Sequence, residues 1–460
     1  MKDKPIIQED TIVAPATAPG IAAISVIRLS GKETFSIAQK LFSIRNLSDK
    51  PSHTLHFGTI ISKGRVLDEV VLGLFKSPHS YTGEDVIEIS CHGSPVVTEQ
   101  IVSAAIEEGA RLAKPGEFTR RAFLNGKLDL TQAEAVADLI ASQSEAARRT
   151  AVGHLRGRVS QELTKLREQL IQFSALIELE LDFSQEDVTF ADRGQLYAMV
   201  DTAIKDVTDL TDSFRLGNAI KNGVDVAIIG KPNAGKSTLL NALLNEDRAI
   251  VSEIAGTTRD TIEEILYIHH VLFRIVDTAG IREQVEGIIE EKGVERSLQK
   301  MKQADIVLYL FDISESEKEV QIEIHKLSAQ HIRFIPVGNK TDLLRSGQIN
   351  DRFAGIPEAL FISAKEQTHI QELKQRIYDS VISGDVSPED TIITNTRHME
   401  ALQKILQSLC DIRDGMDKGI PGDLLALDIR HCLHYIGEIT GEVTNKDVLD
   451  YVFSKFCIGK

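Results

Sequence analysis

The fold is decided by the stretch Gly230-Lys231-Pro232-Asn233-Ala234-Gly235-Lys236-Ser237. It follows the apolar run 224–229, which predicts a β-strand, and precedes Thr238-Leu239-Leu240-Asn241, which has helical character. A glycine-rich loop between a strand and a helix lets backbone N–H groups close around phosphate oxygens, and the helix N-terminus adds its dipole. The stretch therefore predicts a nucleotide-triphosphate site in a parallel α/β domain.

The residues of this loop have separate predicted roles. Lys236 is expected to reach the β and γ phosphates and Ser237 to ligate Mg2+. The remaining predicted GTP-binding positions here are Asn233, Ala234, Gly235 and Thr238. For Asn233 two interpretations stay open: an ordinary loop residue, or a ligand of a monovalent cation that supplies positive charge beside the phosphates.

Three further motifs follow in the order of a guanine-nucleotide domain. Asp277-Thr278-Ala279-Gly280 ends an apolar strand and is expected near the metal and the γ phosphate. In Asn339-Lys340-Thr341-Asp342 the Asp342 carboxylate can accept two N–H groups that guanine offers and adenine does not. Ser363-Ala364-Lys365 is expected to meet the guanine oxygen. Together with a first switch at Ala255, Gly256, Thr257 and Thr258, where Thr258 is the second protein ligand of Mg2+, they resemble the GTPase superfamily.

One position departs from Ras-like enzymes. Those enzymes place a glutamine directly after Asp-x-x-Gly, where it orients the attacking water. This chain has Ile281 there, and an aliphatic side chain cannot hold water. Another group must orient the water, or hydrolysis is slow. Arg282 is either an arginine finger or a solvated switch residue.

Composition limits the remaining possibilities. The chain has 460 residues, which predicts about two to four domains. Its 52 Lys and Arg stand against 68 Asp and Glu, which argues against a surface coated for nonspecific nucleic-acid binding and leaves a local basic patch open. Four scattered cysteines indicate a reduced, cytoplasmic setting. Neither a signal peptide nor a membrane-spanning run is expected, so no membrane partner is expected either.

Changes of pattern along the chain predict four segments. Short β-branched runs at 22–29, 70–75 and 86–90 indicate a mixed α/β domain over 1–123. Helical periodicity follows over 124–217, and apolar strands at 224–229, 273–277, 306–311 and 334–339 lie in an α/β domain over 218–383. Helices return over 384–460. The predicted fold is multidomain: an N-terminal α/β domain, and a Ras-like doubly wound domain inserted into a discontinuous all-α domain.

Two features outside the nucleotide domain stay ambiguous from residues alone. The segment 81–93 contains acids and His92 around a strand, and it is either a turn with an exposed edge or a binding site. Cys91 and His92 lack the partners of a zinc site. Cys457 is either incidental or an accessible thiol on a mobile arm.

The chain as a whole resembles the MnmE (TrmE) family of bacterial tRNA-modification GTPases. The resemblance is carried by three separate regions, in the stretches Asp10-Thr11-Ile12-Val13-Ala14, Ile27-Arg28-Leu29-Ser30-Gly31, 81–93, 115–130 and the ending Cys457-Ile458-Gly459-Lys460. It implies an N-terminal domain that binds tetrahydrofolate and forms a homodimer. The folate contacts it implies are Arg28, Glu88, Lys127 and Lys460. Cys457 is the family's tail cysteine and a candidate catalytic residue.

The same resemblance completes the nucleotide site. It implies a K+ ion bound by Asn233, Ser252, Ile254 and Thr257, which promotes contact between the nucleotide domains of a dimer. It also implies that Glu290, before Gly293-Val294-Glu295-Arg296, orients the water in place of the missing glutamine; the neighbouring Glu291 stays an alternative.

The implied function is modification of carbon 5 of the tRNA wobble uridine. The one-carbon donor would be 5,10-methylenetetrahydrofolate, with 5-formyltetrahydrofolate as an analogue. The implied partner is the FAD protein MnmG (GidA), in a heterotetramer or larger complex that handles tRNA. Two other classes remain: a ribosome-assembly GTPase, and a regulatory GTPase switch without one-carbon chemistry.

Overall fold

The structure, a computed structural model, describes residues 10–182, 193–244, 263–276, 304–344, 346–356, 358–381, 391–444 and 446–460. The chain divides into two units. The first comprises Met1–Ile140, Val152–Ile204 and Lys404–Lys460, and the second comprises Ala141–Ala151 and Lys205–Gln403. The four boundaries given above stay predictions.

The described strands, in chain order, are β1 (Ile12–Pro15), β2 (Ile24–Ser30), β3 (Thr54–Ser62), β4 (Arg65–Phe75), β5 (Val86–His92), β6 (Arg111–Leu112), β7 (Val224–Ile229), β8 (Glu263–Ile268), β9 (Val271–Val276), β10 (Ile306–Asp312), β11 (Phe334–Asn339) and β12 (Leu360–Phe361).

The described α-helices, in chain order, are α1 (Thr34–Leu41), α2 (Pro95–Glu107), α3 (Glu117–Leu124), α4 (Leu130–Ala141), α5 (Glu145–Leu155), α6 (Arg158–Asp182), α7 (Arg193–Asn222), α8 (Lys236–Leu244), α9 (Glu317–Ala329), α10 (Ser346–Arg352), α11 (Ile370–Val381), α12 (Thr396–Asp417), α13 (Gly422–Thr440) and α14 (Lys446–Ser454). Among these described helices, none has the length and apolarity that crossing a membrane requires.

The first unit contains a six-stranded sheet with the order β3-β4-β5-β2-β1-β6. Its pairs are antiparallel except for β1 with β6. Strand β5 shows why it forms: Ile87, Ile89 and Cys91 alternate into the core, while Glu88 and Ser90 point to the opposite face. At β5, one face of the sheet thus packs in the core and the other carries polar side chains.

Helices α6 and α13 pack against each other in the first unit. The apolar stripe of α6 is buried at Leu163, Leu166, Leu170, Phe173 and Ile177, at the spacing of three and four that helical periodicity predicts. At the chain end, the Phe123 and Phe453 rings lie 6.4 Å apart, joining α3 to α14.

The second unit contains the parallel sheet that the strand pattern predicts. Its order is β12-β11-β10-β7-β9-β8, and only the β8–β9 pair is antiparallel. Helices such as α8 and α11 pack against it, and its core includes Val226, Leu308, Val337 and Leu373. The mixed α/β, all-α and doubly wound fold class is confirmed. The carboxyl ends of β7, β10 and β11 lie at one edge, where ligands bind in such sheets.

Candidate functional site

The loop between β7 and α8 has the geometry of a phosphate-binding loop. Asn233 and Gly235 have left-handed backbone, with φ of 63° and 96°. A Cβ on Gly230 would lie 2.0 Å from the carbonyl oxygen of Leu310, and a Cβ on Gly235 would lie 2.3 Å from Asn339 Nδ2. Only glycine fits either position, because the loop runs against the ends of its neighbours. Ala234 between them is buried.

The Lys236 ammonium lies inside the curve of this loop. Its Nζ donates to the carbonyl oxygens of Gly230, at 2.8 Å, and Lys231, at 3.1 Å. Burial lowers the pKa of Lys236. A phosphate anion beside it would raise that pKa again, because it stabilises the charged form. Ser237 and Thr238 follow in the first turn of α8 with exposed side chains.

One buried amide joins three of the predicted motifs. Asn339 is 2% exposed at the end of β11. Its Nδ2 donates to the Ala234 carbonyl oxygen at 2.8 Å, and its Oδ1 accepts from the Ala364 backbone N–H at 3.0 Å. The phosphate loop and the two segments predicted to bind the base are therefore fixed relative to each other by a single side chain.

The carboxylate predicted to select guanine is also oriented. Ser363 Oγ donates to Asp342 Oδ1 at 2.6 Å, and the Glu366 backbone N–H donates to Ser363 Oγ at 3.2 Å. One oxygen of Asp342 is thus held by the neighbouring loop. Lys365 points outward, and its Nζ lies 3.5 Å from Glu366 Oε1.

The first unit gathers most of the residues predicted to contact folate. Arg28 on β2 faces Glu88 on β5 in register, and its Nε and its NH2 nitrogen lie 2.9 and 2.7 Å from Glu88 Oε1. The guanidinium carbon of Arg28 lies 5.0 Å from the Tyr81 ring centroid and 5.6 Å from that of Phe118. The Arg28 guanidinium therefore lies close to two aromatic rings while it pairs with Glu88.

The C-terminal tail lies against the same place. Arg28 donates to the Gly459 carbonyl oxygen at 3.5 Å, and the Phe118 backbone N–H donates to the main-chain oxygen of Lys460 at 3.2 Å. Gly459 has a φ of 96°, and a Cβ on it would lie 2.0 Å from the Pro15 carbonyl oxygen. The tail is docked, which corrects the mobile arm considered for Cys457. The Cys457 thiol itself is exposed.

Lys127 stands apart from this group. Its ammonium donates to the Pro78 carbonyl oxygen at 3.0 Å, and its stem lies 3.4 Å from the position a Cβ on Gly83 would take. It therefore supports the loop that carries Tyr81. Among the described residues, Lys127 forms neither a hydrogen bond nor an ion pair with Arg28 or Glu88.

Two protein-family models match this chain, and together they include residues of both units. Residues 11–127 match the family described as GTP-binding protein TrmE N-terminus, and residues 130–457 match the MnmE helical domain. The chain belongs to the MnmE family. Its fold and the resemblance predicted from its motifs agree with that membership.

Curated relatives match over nearly their whole length. A Cytophaga hutchinsonii protein named tRNA modification GTPase MnmE is 52% identical over 98% of this chain and 98% of its own length. A protein of the same name from Flavobacterium psychrophilum is 49% identical over 99% and 100%. Among solved structures, Era in complex with MgGDPNP and nucleotides 1506-1542 of 16S ribosomal RNA is 30% identical over 40% of this chain and 66% of its own, with a TM-score of 0.29. That score is too low to bear on function.

Several predicted MnmE-family positions lie outside the described residues. They belong to the two switch segments: Ser252, Ile254, Ala255, Gly256, Thr257, Thr258, Asp277, Thr278, Ala279, Gly280 and Glu290. Their roles stay predictions. The strands beside them are described, because β8 begins at Glu263 and β9 ends at Val276.

The structure adds residues that the motifs did not identify. In the nucleotide domain, Lys340 Nζ lies 2.5 Å from Asp312 Oδ2 at the end of β10. Lys231 Nζ lies 2.9 Å from Glu315 Oε2 and 2.7 Å from Glu319 Oε2. A signal for Asp312 was present in the sequence, since it ends a strand at the edge where the other motifs lie.

Proposed function

We propose that this member of the MnmE family is the GTP-hydrolysing subunit of a complex that modifies carbon 5 of the tRNA wobble uridine. It would install an aminomethyl or carboxymethylaminomethyl group with a folate one-carbon donor and an FAD-containing partner. The Asn339 bridge between the phosphate loop and the base-binding loops supports the nucleotide part most strongly. Family membership supports the tRNA part.

In the proposed GTP complex, the chain contributes positioned donors and one selective acceptor. Lys236 and the amides of the loop bind phosphate oxygens, and the Asp342 carboxylate accepts from the guanine edge. Ser237 fits Mg2+ because it has an exposed side chain in the first turn of α8, beside the Lys236 ammonium; Thr258 is its proposed companion. When bound, Mg2+ supplies charge neutralisation at the β and γ phosphates.

We further propose that K+ assists hydrolysis. Asn233 supports this, because its amide side chain is exposed within the phosphate loop and its oxygen is a suitable cation ligand. Ser252, Ile254 and Thr257 would complete the set, and Glu290 would orient the attacking water.

The folate proposal rests on the donors and acceptors around Arg28. Guanidinium and ammonium groups suit the carboxylates of a glutamate tail, and the Glu88 carboxylate suits the donor edge of a pterin. The partly exposed Tyr81 ring provides apolar surface for a flat ring, and the fully buried Phe118 ring lies behind Arg28. Lys127, Lys460 and Cys457 would border the 5,10-methylenetetrahydrofolate; 5-formyltetrahydrofolate is a stable analogue for binding.

The assembly we propose is a cytoplasmic homodimer that joins an MnmG-like (GidA-like) FAD protein in a heterotetramer or larger complex. The partner would handle redox chemistry and most contacts with tRNA. The formal charge of −16 supports this division, since an acidic chain repels a phosphate backbone.

The GTPase cycle would rearrange the neighbouring helices through the β8–β9 hairpin. These two strands connect the two switch segments. At the hairpin tip, Tyr267 donates its hydroxyl to the Gln143 carbonyl oxygen at 3.0 Å, and the His270 carbonyl oxygen accepts from the Ala146 backbone N–H at 3.3 Å. A shift of either switch would therefore act on the start of α5.

Analysis of tRNA nucleosides tests the proposed function. A strain without this gene should lose the modified wobble uridines, and wild-type protein should restore them. Lys236→Ala and Arg28→Ala should fail to restore them at equal protein levels. Lys326→Ala, which alters an exposed pair with Glu323 on α9, serves as the matched control and should restore them. Unchanged tRNA modification in the deletion strain would refute the proposal and leave a ribosome-assembly or regulatory switch.

A further inference from the structure

Three acids stand between lysines of two nucleotide motifs in the second unit. Asp312 ends β10, Glu315 lies in the following turn, and Glu319 lies in the first turn of α9. Asp312 pairs with Lys340 of the base-binding loop, and the other two acids pair with Lys231 of the phosphate loop. These acids, here called the acidic bracket, contact both halves of the proposed GTP site.

Two members of the acidic bracket, Asp312 and Glu315, are held by hydrogen bonds within their own turn; they are its inner acids. Asp312 Oδ1 accepts from the Ser314 backbone N–H at 2.8 Å, and Glu315 Oε1 accepts from the Asp312 backbone N–H at 3.0 Å. In each of these two acids, one carboxylate oxygen accepts a hydrogen bond within its own turn, and the other forms an ion pair with a lysine. The side chains of Asp312 and Glu315 are 16% and 12% exposed, against 58% for Glu319. The two inner acids therefore have fixed directions.

Asp312 is charged in the folded protein at neutral pH. Burial raises the pKa of its carboxyl, but hydrogen bonds from Lys340 and from Ser314 lower it by more, so the net pKa lies below the ordinary value. Its partner Lys340 has left-handed backbone with a φ of 73° and stands directly between Asn339 and the loop that holds Asp342. The direction of the Lys340 side chain is thus set by an anion outside the recognised motifs.

We infer that Asp312 is a positioning residue for guanine nucleotides: it holds Lys340 beside the base-binding loop before the nucleotide arrives. Glu315 has the same role for Lys231, whose carbonyl oxygen accepts from the Lys236 ammonium at 3.1 Å. The inference rests on the proposed GTP site. A side chain held in place in the free protein loses less conformational entropy on binding, so the bracket increases affinity.

The test is a double-mutant cycle on the full-length, nucleotide-free protein. Asp312→Asn keeps the shape and the acceptor for Ser314 but removes the charge that holds Lys340. The dissociation constant of fluorescently labelled GDP should rise by up to about tenfold, mainly through faster dissociation, as expected when one long side chain must become ordered on binding. In a Lys340→Met background, the same substitution should have almost no further effect. Glu315→Gln should give a smaller loss, roughly twofold, because its partner Lys231 is half exposed.

A control substitution separates positioning from general charge. Glu323→Gln removes an acid from the same helix whose partner is the exposed Lys326, and it should leave GDP affinity unchanged. Unchanged GDP affinity in Asp312→Asn would overturn the inference, and so would an undiminished loss in the Lys340→Met background. A purely structural role would give that second result. Wild-type protein that binds no guanine nucleotide would instead refute the proposed function.

Discussion

Replacing Asn339 by alanine should disconnect the phosphate loop from the base-binding segments. The substitution removes both hydrogen bonds of the buried amide and leaves the Ala234 carbonyl oxygen and the Ala364 N–H without them. Ala234 and Ala364 are 2% and 3% exposed. Each buried group left unsatisfied costs about 1–3 kcal/mol, so the local loss from the two groups is about 2–6 kcal/mol. Water that enters from the exposed loop can satisfy part of these groups, so the local loss should lie toward the lower value.

Hydrogen exchange measures this loss where it occurs, without requiring two-state unfolding of a multidomain chain. In nucleotide-free Asn339→Ala, amides in peptides 230–240 and 360–370 should exchange at least roughly 30-fold faster than in wild type, as 2 kcal/mol implies. Asn339→Asp is the matched control: its carboxylate can still accept from the Ala364 N–H but cannot donate to the Ala234 carbonyl oxygen. Asn339→Asp should therefore accelerate hydrogen exchange mainly in peptide 230–240. Unchanged exchange in both peptides of Asn339→Ala would refute the bridging role.

Three further outcomes are expected. Burial raises the pKa of Glu117, but hydrogen bonds from Arg111 and the Lys114 N–H lower it by more, so the pKa lies below its ordinary value of 4.5. Glu117→Gln should therefore lower the free energy of unfolding by about 2 kcal/mol at neutral pH. Thermal unfolding should show this difference between variant and wild type shrinking as pH falls below 4.5. GTP hydrolysis should be faster in K+ than in Na+, and equal rates would argue against a cation role for Asn233. Glu290→Ala should slow single-turnover hydrolysis with GTP affinity nearly intact; an unimpaired rate would assign the water to another acid.

Buried parallel strands were the most predictable part of the fold. Such strands are covered on both faces and appear in the sequence as continuous apolar runs. The predicted strand 224–229 coincides with β7, and 306–311 and 334–339 agree with β10 and β11 to within one residue. Strand β8 was missed because it is an antiparallel edge strand that begins with two glutamates and exposes Ile265. Its apolar run is short and covers only residues 265–268.

Charge networks could not be predicted, because topology creates them. Asp10 and Glu84 are far from Arg121 in the sequence, yet both contact it in the folded unit, whereas Glu117 lies only four residues from Arg121 on α3. The acidic bracket was missed for the same reason: single acids in a sequence indicate a solvated surface. The phosphate loop was predictable because its residues are adjacent in the chain.

The Arg28 site was predicted through family resemblance, while its aromatic neighbours were not. Tyr81 and Phe118 come from separate segments and meet Arg28 only in the folded sheet. The family resemblance placed Lys460 at this site, but the residues alone did not predict a docked tail, since it depends on the close approach of Gly459 to Pro15. A short polar ending gives no local sign of such a contact.

Calorimetric titration of wild-type protein and Asp342→Asn with GDP, ADP and XDP tests the central claim most directly. A site that pairs a carboxylate with two guanine N–H groups should reject bases without them by about 10⁴-fold. Wild type should therefore bind GDP and neither alternative, and Asp342→Asn should lose GDP and gain XDP, whose added carbonyl accepts from the new amide. Equal binding of GDP and ADP by the wild type would contradict the account.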